Sequence, residues 1–342
     1  MKENKVFYIS LANVVAAFAM VMLHTNNCFW EFNKERYWIT ANIIESVMYF
    51  AVPIFFMISG ATLIDYKKRY STKEYLIKRV TKTVIPFFIW SLIGVVWAVS
   101  EGKYTVFFDI NGLKTIIKDV INTSVVGIYW FFIPLFRIYL LIPLIASIKE
   151  EDRKKIFIPL SLFLFVFDYV LCHIGTATTI HRTESDKICL YISYVLVGYL
   201  IHKYDMSKFC RRIIYTLGLI GLGLHICMTQ VLSYEAGVII QTWKGYANIP
   251  CVLYSVAIFV LIKQIAENIK NEKVISAISC MSKYTFAIYL IHWYIIDYVV
   301  ELFSIETKSI LYRIGMPFVL FPICIGITWL VRKIPVVRRI LP

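Results

Sequence analysis

The sequence predicts an all-α polytopic membrane protein, a bundle of about ten transmembrane helices, and three observations support this prediction. First, 59% of the residues are hydrophobic and only 17% are charged, whereas about a quarter of the residues of a soluble domain are charged. Second, the apolar residues form runs of roughly 20, the length that a helix needs to cross a bilayer. Third, the charged residues stand in short clusters between these runs. The net charge of +14 therefore indicates membrane topology, with no nucleic-acid partner expected.

Each apolar run is expected to be a helix, because a backbone in lipid must satisfy its own hydrogen bonds. The first run is too long for a signal peptide and is expected to stay as an uncleaved helix. We predict one membrane-embedded domain over residues 1–342, without a metal site. The predicted spans are 6–25, 43–64, 80–99, 128–148, 156–174, 188–202, 213–232, 248–266, 283–301 and 310–331.

The Lys and Arg residues predict the orientation of the bundle. Most of the 36 lie at the N-terminus, at the C-terminus or in the connections that would share their side of the membrane, such as 65–79 and 203–212. Cytoplasmic connections of membrane proteins carry an excess of these residues. Both termini are therefore predicted to be cytoplasmic.

The first apolar run ends on Val-Met-Leu-His24, and this histidine is the first candidate for chemistry. It shares a helix face with Asn13, three turns earlier. An ionisable group near the end of a span either meets a polar partner at the interface or has a function. From these residues alone the two interpretations of His24 are equally supported: an interfacial histidine, or a base in a cavity.

Two further stretches lie near the second and third spans. Ser59 and Gly60 end the stretch that begins at Pro53, and helix packing is the simpler explanation of this stretch. Arg79 and Lys82 share a helix face ahead of Pro86. They suit the binding of a phosphorylated ligand, although lipid-headgroup anchoring is the more common explanation of such a pair.

The fourth and ninth spans contain the remaining candidates. Trp130 stands at a span boundary, as membrane-belt aromatic residues do. Arg137 falls inside a span and should face the bundle interior, with Asp168 as its expected partner in an ion pair. Tyr289 and His292 share a helix face, and a histidine near the middle of the membrane needs a hydrogen-bond partner or water. The alternatives are a structural ion pair at Arg137 and a single core hydrogen bond at His292. The residues expected to line a cavity or bind substrate are Asn13, Ser59, Trp130, Arg137, Tyr289 and His292.

In their order and spacing these stretches resemble the acyltransferase-3 family of integral-membrane acyltransferases, and the resemblance covers nearly the whole chain. The pattern is most similar to the subgroup that contains the O-acetyltransferase of enterobacterial common antigen. One departure is that many members have an arginine eleven residues before the histidine, where this chain has Asn13. The motifs are Val-Met-Leu-His24, Pro53 to Gly60, Arg79 and Lys82 ahead of Pro86, Tyr129-Trp130-Phe-Phe, Tyr139 to Pro143, and Ile288 to His292.

The resemblance implies an enzyme of the bacterial cytoplasmic membrane that passes an acyl group, usually acetyl, from cytosolic acyl-CoA to a hydroxyl of a cell-envelope or exported saccharide. It implies that His24 is catalytic, either as a base or through an acyl-histidine, and that Arg79 and Lys82 bind the acyl-CoA. No permanently bound cofactor is expected. The expected partners are acyl-CoA, a saccharide or lipid-linked saccharide and membrane lipid, with a homo-oligomer left open.

Two other functions are compatible with the same residues. Intramembrane charges and a cationic mouth also suit a transporter or flippase of a glycan or organic anion. A non-catalytic membrane partner is the third alternative. In that case substitutions at His24, Arg79 and Lys82 would have no more effect than substitutions of lipid-facing neighbours.

Overall fold

The protein is a helical bundle in the computed structural model, which describes residues 2–107, 109–166, 187–246 and 248–341. Within these ranges the regular elements are helices and short helical turns, with no β-strand. The helices are α1 Lys2–Thr25, α2 Arg36–Met48, α3 Ala51–Leu63, α4 Thr72–Arg79, α5 Ile85–Ser100, α6 Ile110–Ile121, α7 Phe132–Ile145, α8 Glu150–Leu164, α9 Lys187–Lys203, α10 Lys208–Ala236, α11 Ile249–Asn268, α12 Glu272–Met281, α13 Thr285–Leu302, α14 Ile310–Val331 and α15 Val337–Ile340.

Eight helical segments of the described residues are long and apolar enough to cross a membrane. They match eight of the ten predicted spans, which confirms the predicted class of a polytopic helical membrane protein. The predicted fifth span, 156–174, begins in α8 and continues into 167–186, outside the described residues. The predicted sixth span corresponds to α9, a helix of 17 residues that is not among the eight. The eight segments are Phe7–Thr25, Arg36–Lys68, Thr72–Ser100, Gly127–Ile145, Lys208–Ala236, Ile249–Asn268, Thr285–Leu302 and Ile310–Val331.

Local sequence signals explain several helix ends. Ser71 and Glu74 form a reciprocal capping box at the start of α4, so that two otherwise unsatisfied N–H groups are paired. Pro86 lies at the start of α5, directly after a π-helical segment over 80–84, and its missing N–H removes one α-helical hydrogen bond there. Gly237 ends α10 in the left-handed conformation, with φ 69°, which a side chain would disfavour.

Helix α1 lies at the centre of the bundle, in contact with α3, α11, α13 and α14. Its alanines Ala12, Ala16, Ala17 and Ala19 are almost completely buried. Small side chains let helix backbones approach closely, which is the main source of association between helices in lipid. We call the two ends of the bundle the Lys2 end, where α1 begins, and the His24 end, where α1 stops.

Helices α3 and α9 pack backbone to backbone. A Cβ added to Gly60 would lie 1.8 Å from the Val195 carbonyl oxygen, and one added to Gly198 would lie 2.1 Å from the Met57 carbonyl oxygen. Gly60, part of the predicted packing stretch, therefore allows a contact that no other residue would permit. This contact positions α3 and α9, which both contribute side chains to the cavities described below.

A charged network joins helices at the Lys2 end. The Arg153 guanidinium donates to the Asp65 carboxylate at 2.6 Å, to the Tyr199 hydroxyl and to two backbone carbonyls. Lys203 pairs with both Asp65 and Glu150. The hydrogen bond from Lys203 lowers the pKa of Glu150 to about 2, which keeps this carboxyl ionised. These charges are mutually satisfied and tie α3, α8 and α9 together.

Candidate active site

His24 lies in the last turn of α1, with its imidazole half-buried at the His24 end of the bundle. Its ring centroid is 5.0 Å from that of His292 and 5.9 Å from that of Trp293, both on α13. Its nitrogens make no hydrogen bond with the part of the chain that the structure describes. The imidazole is therefore held by ring packing, and its nitrogens are available to a ligand.

His292 packs behind His24 and is completely buried. Its Nδ1 lies 3.0 Å from the carbonyl oxygens of both Ile288 and Tyr289. Because a carbonyl can only accept, Nδ1 carries the hydrogen and Nε2 is the unprotonated nitrogen of the neutral ring. Nε2 is buried and has no hydrogen-bond partner among the described residues. His292 therefore hydrogen-bonds to its own helix through Nδ1, and Nε2 remains as one free acceptor near His24.

Two cavities meet at His24. His24, Asn27 and Trp293 line both of them, so the imidazole stands at their junction. The main cavity, of about 460 Å³, is lined by Met20, Leu23, His24, Asn27, Trp30, Glu45, Tyr49, Val52, Val125, Gly127, Ile128, Trp130, Phe131, Tyr246, Tyr289 and Trp293. The small cavity, of about 160 Å³, is lined by His24, Thr25, Asn27, Cys28, Glu31, Trp293, Ile296, Asp297, Val300, Thr307 and Tyr312.

Aromatic rings form much of the wall of the main cavity. Tyr246 stacks on Tyr49 with centroids 4.2 Å apart and on Trp130 at 5.5 Å. Tyr289 donates its hydroxyl to the Ile128 carbonyl, so this donor is already in use. Trp130 and Tyr289 thus line the same cavity as His24.

A buried carboxylate, Glu45 on α2, also lines the main cavity and was missed in the sequence analysis. Its Oε2 accepts a hydrogen bond from the Asn26 amide at 3.2 Å, and the Asn26 oxygen accepts one from Arg313 at 3.4 Å. Arg313 lies buried within α14. Charged residues inside apolar runs are expected to be functional or paired, and this signal at Glu45 and Arg313 was available.

A third cavity, of about 510 Å³, adjoins the main one, and we call it the basic cavity. Tyr49, Trp130 and Tyr246 line both. The other residues that line the basic cavity are Asn122, Thr123, Ile133, Pro134, Arg137, Tyr191, Gln241, Lys244, Gly245 and Asn248. Arg137 thus lines this cavity. Its predicted partner Asp168 lies outside the described residues.

The other predicted site residues lie apart from these cavities. Arg79 is near the Lys2 end, with its guanidinium carbon 5.4 Å from the centroid of the Tyr139 ring, and its buried Nε has no hydrogen-bond partner among the described residues. Lys82 is exposed, one turn further along a π-helical segment. Asn13 is half-buried on α1, and Ser59 donates to the Phe55 carbonyl of its own helix.

A multi-helix membrane bundle with a half-buried imidazole at the junction of two cavities defines an integral membrane protein with internal cavities. Comparison with known families specifies it further. Residues 6–331 match the acyltransferase-3 family, described as an acyltransferase domain, and the chain belongs to this family. No curated protein and no solved structure matches the chain. The protein is therefore a membrane acyltransferase.

Proposed function

We propose that the protein transfers an acetyl group from cytosolic acetyl-CoA to a hydroxyl of a cell-envelope saccharide, with His24 as the general base. The position of His24 between the main and the small cavity supports this proposal, because acyl transfer must bring two substrates to one group. The aromatic wall of the main cavity is suited to the apolar face of a sugar ring. We assign the main cavity to the acceptor.

In the proposed reaction the imidazole of His24 acts as the proton acceptor. The neutral ring of His24 takes the proton of the acceptor hydroxyl while the hydroxyl oxygen attacks the thioester carbonyl. The C–O bond forms, the C–S bond breaks, and the thiolate of CoA takes the proton from the imidazolium and leaves as a thiol. General-base help of this kind accelerates a reaction by roughly 10²–10⁴-fold. Asn27, which lines both cavities, is placed to donate to the oxyanion that forms.

The donor is assigned to the opposite end of the bundle. We propose that the Lys2 end faces the bacterial cytoplasm, as the Lys and Arg distribution predicts. Arg79 and Lys82 would then bind the phosphates of acetyl-CoA, and the buried Nε of Arg79 offers an unused donor. Helix α1, with 24 residues, is about 36 Å long. The pantetheine arm would therefore cross much of the bundle to reach His24.

The test is acetyl transfer from labelled acetyl-CoA to envelope saccharide by membranes that contain folded protein. We expect His24→Ala to lower the rate about 10²–10⁴-fold, and Leu219→Ala, on the exposed face of α10, to keep the wild-type rate. With the concentration of acetyl-CoA varied, Arg79→Ala should raise KM for acetyl-CoA, while Lys73→Ala, at an exposed position of α4, should not. A His24→Ala protein with the wild-type rate would contradict the proposal.

A further inference from the structure

The basic cavity contains two cations that form no contact ion pair with a described residue. Lys244 is 1% exposed, and its ammonium has no hydrogen-bond partner among the described residues. It lies 4.5 Å from the centroid of the Phe29 ring and 4.4 Å from that of the Tyr49 ring. Aromatic faces attract a cation but do not accept its three N–H bonds as oxygen atoms do. A buried ammonium in this state is costly unless a ligand completes it.

Arg137 lines the same cavity and makes no ion pair or hydrogen bond with the described residues. Arg137 is half-buried, and its guanidinium offers N–H donors and no acceptor. No Asp or Glu is among the described residues that line the basic cavity. The described part of the site therefore has two positive charges, several neutral polar groups and no carboxylate, which is the composition of an anion-binding pocket.

The groups that act on Lys244 from neighbouring elements do not remove this charge. Glu45, which lines the main cavity, attracts the ammonium without forming a contact ion pair, and the buried Cys251 and His225 also lie near it. Burial lowers the pKa of Lys244 to about 8, and Glu45 opposes this effect. The ammonium is thus still mostly protonated at neutral pH, and a bound anion would stabilise it.

The basic cavity is connected to the reaction site by shared residues. Tyr49, Trp130 and Tyr246 stack on one another and line both the basic and the main cavity. A ligand with its anionic group in the basic cavity can therefore extend along these rings toward His24. The two volumes, about 510 and 460 Å³, are each typical of a ligand pocket.

We propose that the acceptor is an anionic saccharide whose phosphate or carboxylate binds Arg137 and Lys244 in the basic cavity, while its reacting hydroxyl lies beside His24. This inference rests on the proposed function, which makes the ligand of the basic cavity the acyl acceptor. It assigns Arg137 and Lys244 to acceptor binding. Phosphate and carboxylate share the chemistry of an oxyanion, and the experiment separates them.

The experiment measures direct binding to the purified full-length protein by calorimetry, so that it does not depend on acyl transfer. The probes are glucose 1-phosphate, glucuronate and glucose, which differ mainly in the anionic group. The variants are Arg137→Gln and Lys244→Met, with Lys34→Met as control, because Lys34 is an exposed cation that lines none of the cavities described above. Chromatographic monodispersity reports folding.

We expect the wild-type protein to bind glucose 1-phosphate, glucuronate or both at least about 10-fold more tightly than glucose, and whichever binds identifies the anionic group. Arg137→Gln and Lys244→Met should each weaken this binding about 10- to 100-fold and leave glucose binding unchanged. Lys34→Met should bind like wild type. Equal affinity for the three probes in wild type overturns the proposal even if both variants fail to fold. Loss of acetyl transfer in His24→Ala with no anion preference would retain the proposed function and reject only this inference.

Discussion

The contact between α3 and α9 allows a quantitative test of the bundle. A Cβ on Gly60 would lie 1.8 Å from the Val195 carbonyl oxygen, whereas carbon and oxygen atoms in contact are normally about 3.3–3.6 Å apart. In Gly60→Ala the helices must therefore separate by about 1.5 Å. Overpacking of a tight interface costs typically about 1–3 kcal/mol. Because the obstacle is backbone and cannot rotate away, we expect the upper part of this range.

The assay is unfolding of the purified protein in mixed micelles by increasing denaturing detergent, followed by circular dichroism. Gly223→Ala is the matched control, because nothing lies within 4 Å of its added Cβ on α10. Alanine there should stabilise the helix by about 0.5–1 kcal/mol. Gly198→Ala, at the reciprocal contact, should behave like Gly60→Ala. If Gly60→Ala unfolds at the same detergent midpoint as the wild-type protein, α3 and α9 are not in backbone contact. The cavities to which these two helices contribute side chains would then be wrongly placed.

Two predictions concern the site itself. The affinity for glucose 1-phosphate should fall about 10-fold as pH rises from 7 to 9.5, because burial lowers the pKa of Lys244 to about 8 and its ammonium loses a proton in this range. In Lys244→Met the weaker affinity should not change with pH. A wild-type affinity that stays constant would disprove the assignment of Lys244 to anion binding. His292→Gln should lower kcat for acetyl transfer about 10- to 100-fold and leave KM for acetyl-CoA unchanged. The reason is that the His292 ring packs against the His24 ring, with centroids 5.0 Å apart, and so orients it. A change in KM alone would show that His292 does not position the base.

The helices were predictable because a bilayer allows few backbone conformations. An apolar run of roughly 20 residues can satisfy its polar groups in a bilayer only as a helix or in a closed barrel. The predicted first span, 6–25, accordingly corresponds to α1, which ends at Thr25. The exact number of spans and the side of the termini stay predictions. They depend on weak apolar runs and on charge counts, which local backbone physics does not determine.

The candidate site was predictable only in part, because its walls come from distant parts of the chain. His24 and Trp293 stand side by side although they are 269 positions apart in the sequence. Lys244 lies in the connection between α10 and α11 and packs against the rings of Tyr49 and Phe29. A single sequence contains no direct record of such neighbours. The histidine could be identified from its position in a span, whereas the cavities around it required the packed structure.

Charged residues in the bundle show what sequence could and could not decide. Every ionisable group in or beside an apolar run is expensive, so sequence can mark each of them as needing a reason. The sequence cannot tell whether such a group has a structural role or binds a ligand. Arg153 is surrounded by the Asp65 carboxylate, a hydroxyl and two carbonyls, which makes it a structural tie between helices. Lys244 is also buried, but its ammonium faces two aromatic rings and an open cavity and has no hydrogen-bond partner among the described residues. The completeness of the hydrogen bonds, and not the presence of the charge, separates a structural residue from one that awaits a ligand.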